Sequence, residues 1–275
     1  MDDFAPFARL IGAIDPWRAH LVLVGGWAHR LYRFHELANV PGYQPLTTKD
    51  TDLAFSAQAP LHGDIKAALE KAGFSEKLSG ENHPPVTHYE LSESDAGFYA
   101  EFLTPLVGSG LKRDGKPDAT VLVAGVTAQK LRHLEILFID PWVIKIGPDK
   151  GFPLPSKVDL QVADPAGFIV QKLLIQQDRT PSKRAQDVLY IHDTLEMFAG
   201  ALPKLKASWE LRIRPNLSER TARHVIELSA TCFLSVTDTI RDAAQMAQGR
   251  NLLPERLRSF CQGALREVIE QQRRS

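Results

Sequence analysis

The run Leu21-Val22-Leu23-Val24 stops at Gly25-Gly26, and from there the apolar residues change period. Before the glycines they are continuous, as in a buried strand. After them Trp27, Leu31, Phe34 and Leu37 recur at helical spacing, which predicts a helix over 27–38. Strand, paired glycine and helix in direct succession constrain the chain to an α/β arrangement. In such a turn the bare backbone can approach a ligand, and the helix start offers unpaired N–H groups to phosphate oxygens. A purely geometric turn is the plainer alternative.

The next strand, read over Thr47 to Phe55, carries Lys49-Asp50-Thr51-Asp52-Leu53. Side chains alternate on a strand, so Asp50 and Asp52 share one face while Thr51, Leu53 and Phe55 share the other. Two adjacent carboxylates repel unless a cation lies between them, and an all-oxygen set suits Mg²⁺ or Mn²⁺. Otherwise they are a solvated strand end. A third acid, Glu101, sits inside Phe98-Tyr99-Ala100-Glu101-Phe102-Leu103, where an apolar setting demands a partner. Glu90 in Tyr89-Glu90-Leu91 competes for the same role.

Further elements are a helix over 65–72, strands over 86–91, 98–103, 121–124 and 142–146, and a helix over 128–137. The front of the chain thus reads as a mixed sheet flanked by helices. From Asp164-Pro165 onward the texture is helical. Asp164 is an N-cap with Pro at the first helical position, and Thr180-Pro181 opens a second helix with the stripe Val188, Ile191, Leu195 and Phe198. Segments near 202–212, 218–247 and 254–272 complete it. Two domains are expected, 1–160 and 161–275, and 275 residues suffice for two modest cores.

The 33 basic and 33 acidic side chains cancel, which excludes a uniformly basic nucleic-acid coat. The cancellation is uneven: residues 1–165 hold 16 basic and 21 acidic side chains, residues 201–275 hold 13 and 8. No apolar run is long enough to span a bilayer, and Met1-Asp2-Asp3-Phe4 is acidic where a secretory leader would be basic, so a cytoplasmic protein is expected. Cys232 and Cys261 read as buried thiols. His20, His29, His35, His83 and His88 show no metal-ligand spacing, and 81–88 reads as a loop interrupted by proline.

Taken together, Val24-Gly25-Gly26-Trp27-Ala28, Thr48-Lys49-Asp50-Thr51-Asp52-Leu53, Glu101-Phe102-Leu103-Thr104-Pro105 and Pro165 to Leu174 resemble the nucleotidyltransferase fold of the DNA polymerase β superfamily. The likeness is sharpest to its bacterial branch of uncharacterised nucleotidyltransferases and abortive-infection-type toxins. Twenty-three residues separate Gly26 from Asp50, more than in compact members, and the Pro41 to Pro45 loop is where the excess fits.

The resemblance implies transfer of a nucleoside monophosphate from an NTP to an acceptor hydroxyl. Asp50, Asp52 and Glu101 would hold Mg²⁺ or Mn²⁺, and Gly25 and Gly26 would cradle the phosphates. It also implies that Lys172, on the helix after Pro165, contacts the triphosphate and that Arg179, Lys183 and Asp187 complete that site. From the residues alone, Lys172 could equally be snorkelling, and Lys183 with Asp187 could be a surface i, i+4 pair. The acceptor could be tRNA, a small molecule or a protein, and an antitoxin partner belongs to the toxin reading. A nucleotide-binding module without turnover, or a helical interaction domain, would be the alternatives.

Overall fold

The computed structural model describes residues 4–79, 86–91 and 97–269. The acidic N-terminal residues 1–3, Glu81 and His83 lie outside them. The chain forms two compact units. One comprises residues 1–34 and 47–163, the other residues 35–46 and 164–275.

Among the described residues the first unit is built on a nine-stranded mixed sheet. Its strands are β1 (Val22–Val24), β2 (Asp50–Ala54), β3 (Phe74–Ser79), β4 (Val86–Leu91), β5 (Tyr99–Pro105), β6 (Thr120–Val123), β7 (Val126–Leu131), β8 (Trp142–Ile146) and β9 (Val158–Val162). The order is β3-β4-β5-β2-β1-β9-β8, with β7 on β5 and β6 on β7. Helices α1 (Phe4–Ala13), α2 (Gly25–Leu31) and α3 (Ile65–Lys71) belong to it. Phe7 stacks on Trp27 with ring centroids 3.8 Å apart, pinning α1 to α2; burying rings of this size contributes about 1.5–3 kcal/mol each.

Three sequence expectations change here. The helix after the glycines ends at Leu31 and continues only as a 3₁₀ turn, Tyr32–Phe34, after which the chain enters the other unit. The expected helix over 128–137 is strand β7 followed by a 3₁₀ turn at Leu134–Phe138. Ala124 and Gly125 both have positive φ, 47° and 78°, so they form the tight turn of a β6–β7 hairpin. Val126 and Ala128 are then buried in alternation, and pairing with β5 overrides the helix-forming composition. β3 and β9 were not expected. β3 is an edge strand with little apolar content, and its Leu78 is 73% exposed.

The second unit is helical: α4 (Pro165–Ile175), α5 (Pro181–Met197), α6 (Leu202–Ser208), α7 (Glu219–Thr231), α8 (Asp238–Met246) and α9 (Pro254–Ile269). The carboxylate of Asp164 caps α4 by accepting from the N–H groups of Ala166 and Gly167 at 2.8 and 3.0 Å. The stretch expected as one helix over 218–247 is divided, because Thr237 opens α8 as a fresh N-cap. Residues 35–46 lie on this unit. Asn39 donates its N–H to the carbonyl of Met197 at 2.8 Å, and Tyr43 donates its hydroxyl to Glu196 at 2.5 Å. Among the described residues no helix is long and apolar enough to cross a membrane.

Candidate active site

The centre of the sheet places the expected carboxylates. β2 runs antiparallel to β1 and parallel to β5, so Val24, Asp52 and Glu101 form one cross-strand row. Asp50, Tyr99 and Glu90 form the adjacent row. Directly opposed residues on one face stand about 5 Å apart at Cβ. Asp50, Asp52, Tyr99, Glu101 and Glu90 are all half-buried, whereas Thr51, Leu53, Ala100 and Phe102, on the other face, are buried. The alternation read from sequence is therefore the alternation of the sheet.

Further along the same strands the packing turns apolar. Val22, Val24, Ala54 and Leu103 pack with Leu134, Leu137 and Ala163 in a buried cluster. This fixes the register of the three central strands and backs the acids with a dry floor, where a one-residue slip would invert every side chain.

Gly25, the first residue of α2, has φ +61°, a left-handed conformation that side chains disfavour. Its missing side chain matters as much as its angle. A Cβ there would collide with Oδ2 of Asp52 and stand 3.0 Å from Cγ. The glycine turn and the Asp52 carboxylate are thus in direct apposition. Gly26 follows it, buried in the first turn of α2. Asp50 accepts a hydrogen bond from the hydroxyl of Thr48.

Tyr99 is the residue that sequence reasoning passed over. Burial first, and then the charges of Asp50, Glu101 and Asp52, push its phenol well above the ordinary range, so it stays a neutral O–H. Its ring lies against His88 with centroids 4.9 Å apart. Alternation along 98–103 already put Tyr99 on the Glu101 face; what sequence lacked was the pairing that brings Asp50 beside it. Register also separates the two rival acids. Glu101 is next to Asp52, whereas Glu90 lies one strand further out, on β4.

In the helical unit Lys172 and Asp187 form a buried ion pair, Nζ to Oδ1 at 2.7 Å, with the side chains 6% and 3% exposed. Arg179 donates Nε to the other oxygen of Asp187 at 3.1 Å and is 37% exposed. The Lys172 ammonium also lies 5.3 and 5.4 Å from the rings of Phe168 and Tyr190. The structure therefore joins Lys172, Arg179 and Asp187 across α4, the connecting turn and α5. It does not join Lys183, which is exposed and makes no ion pair with Asp187.

One further group was not singled out from sequence. His192, Asp193 and Glu196 bring ligand atoms within 4.8 Å of one another. Arg250 donates to both oxygens of Asp193 at 2.6 and 2.8 Å and lies 3.6 Å from Glu196. A guanidinium thus already supplies the cation there. The adjacent His-Asp with Glu four residues on was visible in the sequence, but Arg250, 57 residues away, was not.

No curated protein matches the chain. Among solved structures it is similar to MenT4, a nucleotidyltransferase toxin from Mycobacterium tuberculosis, at 11% identity and a TM-score of 0.41, covering 98% of this chain and 83% of that one. A family model described as nucleotidyltransferase matches residues 3–213, which take in all nine strands and α1 to α6. With that match extending over most of its length, the chain belongs to the nucleotidyltransferase family.

Proposed function

We propose that this nucleotidyltransferase is metal-dependent and moves a nucleoside monophosphate from an NTP to an acceptor hydroxyl in the cytoplasm. The observation that carries the reading is that Asp52 stands beside Glu101 across β2 and β5 and against Gly25 at the start of α2, with Asp50 on the same face. The donor set fits a divalent cation: three half-buried carboxylates, Asp50, Asp52 and Glu101, share one face of two neighbouring strands. All-oxygen ligation of this kind suits Mg²⁺ or Mn²⁺. When bound by Asp50, Asp52 and Glu101, such an ion supplies charge neutralisation for the phosphates and acidifies the acceptor hydroxyl.

The protein's own part is placement. Gly25 lets the Asp52 carboxylate sit directly against the start of α2, and the backbone N–H groups of Gly25 and Gly26 would cradle phosphate oxygens there. Glu101 rather than Glu90 is the third acid, because it alone is the direct neighbour of Asp52 across β2 and β5. Within the helical unit Asp187 holds Lys172 and Arg179 in fixed positions, and Arg179 and the exposed Lys183 present cations that suit phosphate oxygens. RNA such as tRNA, a small molecule and a protein are the acceptor classes.

The test incubates each labelled NTP with Mg²⁺ or Mn²⁺ and with tRNA, small-molecule and protein acceptors. Label transfer to one class, lost in Asp52→Ala, is expected. Failure across all three classes, or undiminished transfer by Asp52→Ala, overturns the reading.

A further inference from the structure

The helical unit contains a cavity of about 620 Å³. Tyr43 of the 35–46 segment forms one side, His192 and Glu196 at the end of α5 another, and Arg256 and Phe260 of α9 a third. The twenty-three-residue gap between Gly26 and Asp50 therefore contributes a wall here.

The floor of this cavity is electrostatically settled. Arg250, only 14% exposed, is clamped by Asp193 and stacked over Tyr43 at 3.7 Å from the ring centroid. Tyr43 in turn donates to Glu196. A metal ion at His192, Asp193 and Glu196 would have to displace that guanidinium, so the cluster stands as an ion-pair network rather than a metal site.

What remains directed at a ligand is of three kinds. Phe260 gives a planar apolar side, and Tyr43 adds the ring face that Arg250 does not cover. Glu196 gives a partly exposed carboxylate that can accept N–H groups. Arg256 is exposed and makes no ion pair among the described residues, and Asn251 beside it is exposed with an uncommitted amide. A ligand with a planar ring, ring N–H donors and an anionic end satisfies all three, and a cavity of this volume lies within the range of small-molecule sites.

We propose that this cavity binds a nucleoside monophosphate unit, its base between Tyr43 and Phe260 with N–H groups toward Glu196, and its phosphate on Arg256 and Asn251. The unit is either a free nucleotide or the terminal nucleotide of an RNA strand. The site goes beyond the transfer reaction and does not depend on it.

The test is calorimetric titration of the full chain in EDTA, with the four nucleoside monophosphates, inorganic phosphate and a 5′-phosphorylated trinucleotide as probes. A monophosphate or the trinucleotide is expected to bind; which is tighter tells the free nucleotide from the RNA end. Arg256→Glu should weaken binding roughly tenfold or more, the size of a lost charge-assisted hydrogen bond. Phe260→Leu should weaken it less, and Asp52→Asn should leave it unchanged. Absence of binding at millimolar nucleotide, binding of inorganic phosphate as tight as that of the nucleotides, unchanged binding by Arg256→Glu, or loss of binding in Asp52→Asn would overturn the assignment. Transfer activity does not enter this readout, so its outcome is separate from that of the acceptor screen.

Discussion

The carboxylate of Asp52 rests against the bare Cα of Gly25, where no side chain fits. Gly25→Ala therefore acts twice. The left-handed φ costs the variant about 1–2 kcal/mol, and the methyl group pushes Asp52 from its place beside Glu101. Transfer activity should fall by roughly 100-fold or more, as misplaced reacting groups do, while thermal melting drops by only a few degrees. Gly12→Ala, at a helical position where a Cβ meets nothing within 4 Å, is the control and should leave activity unchanged and melting equal or slightly higher.

Cation binding should be visible without chemistry. Mn²⁺ at a hundredfold excess over its dissociation constant should stabilise the protein by about 2.7 kcal/mol. Asp52→Asn and Glu101→Gln should abolish that shift, whereas Glu90→Gln should keep it. Differential scanning fluorimetry with and without Mn²⁺ reads all four proteins. An undiminished shift in Glu101→Gln would move the third ligand to Glu90.

The buried ion pair between Lys172 and Asp187 predicts an asymmetry. Asp187→Asn strands a buried ammonium and should cost about 3–5 kcal/mol in urea unfolding. Lys172→Met should cost less, because Asp187 keeps Arg179 at 3.1 Å. Equal losses would show that Arg179 does not compensate.

Alkaline pH should destabilise the fold. Burial pushes the Cys232 thiol from 9.0 up to about 11 and raises that of Cys261 as well; burial and nearby carboxylates likewise raise the Tyr43 and Tyr99 phenols. In each case the folded state keeps its proton while the unfolded chain releases it. The stability the two thiols contribute is thus fully present below about pH 9 and that of the two phenols below about pH 10; above those limits each declines by about 1.4 kcal/mol per pH unit. For Cys232 the decline ends near pH 11. Denaturant melts between pH 7 and 10.5 measure the slope, and Cys232→Ser should reduce it by one group.

The β6–β7 turn accepts improvement. Ala124 and Gly125 hold the two positive-φ positions, the pair that Asn-Gly fills best. Ala124→Asn should stabilise by roughly 0.5–1 kcal/mol. Gly125→Ala should destabilise, since its Cβ would meet the Asp64 carboxylate that caps α3. Urea midpoints distinguish the two.

That hairpin also marks what a sequence can reveal. The carboxylates were legible because strand alternation is local, so Asp50 and Asp52 had to share a face. The α4 start was legible because Asp164-Pro165 is a complete cap in two residues. Val126 to Leu131 was misread because Ala, Gln, Lys and Leu favour helix, and only pairing with β5 makes the segment a strand. Tyr99, the Lys172–Asp187 pair and Arg250 against Asp193 are meetings of residues far apart in the chain or set by register. No local pattern encodes them.

The excursion of residues 35–46 onto the helical unit has a consequence for how such a chain can be cut. The polypeptide crosses over, returns and crosses again, so neither unit is one uninterrupted stretch. A fragment starting at Asp164 would lack Tyr43, leaving Arg250 and Glu196 without their aromatic partner. Exchange of the C-terminal half between related chains would likewise have to carry a twelve-residue piece from near the front. The two units are therefore separable only by a cut that takes this piece along.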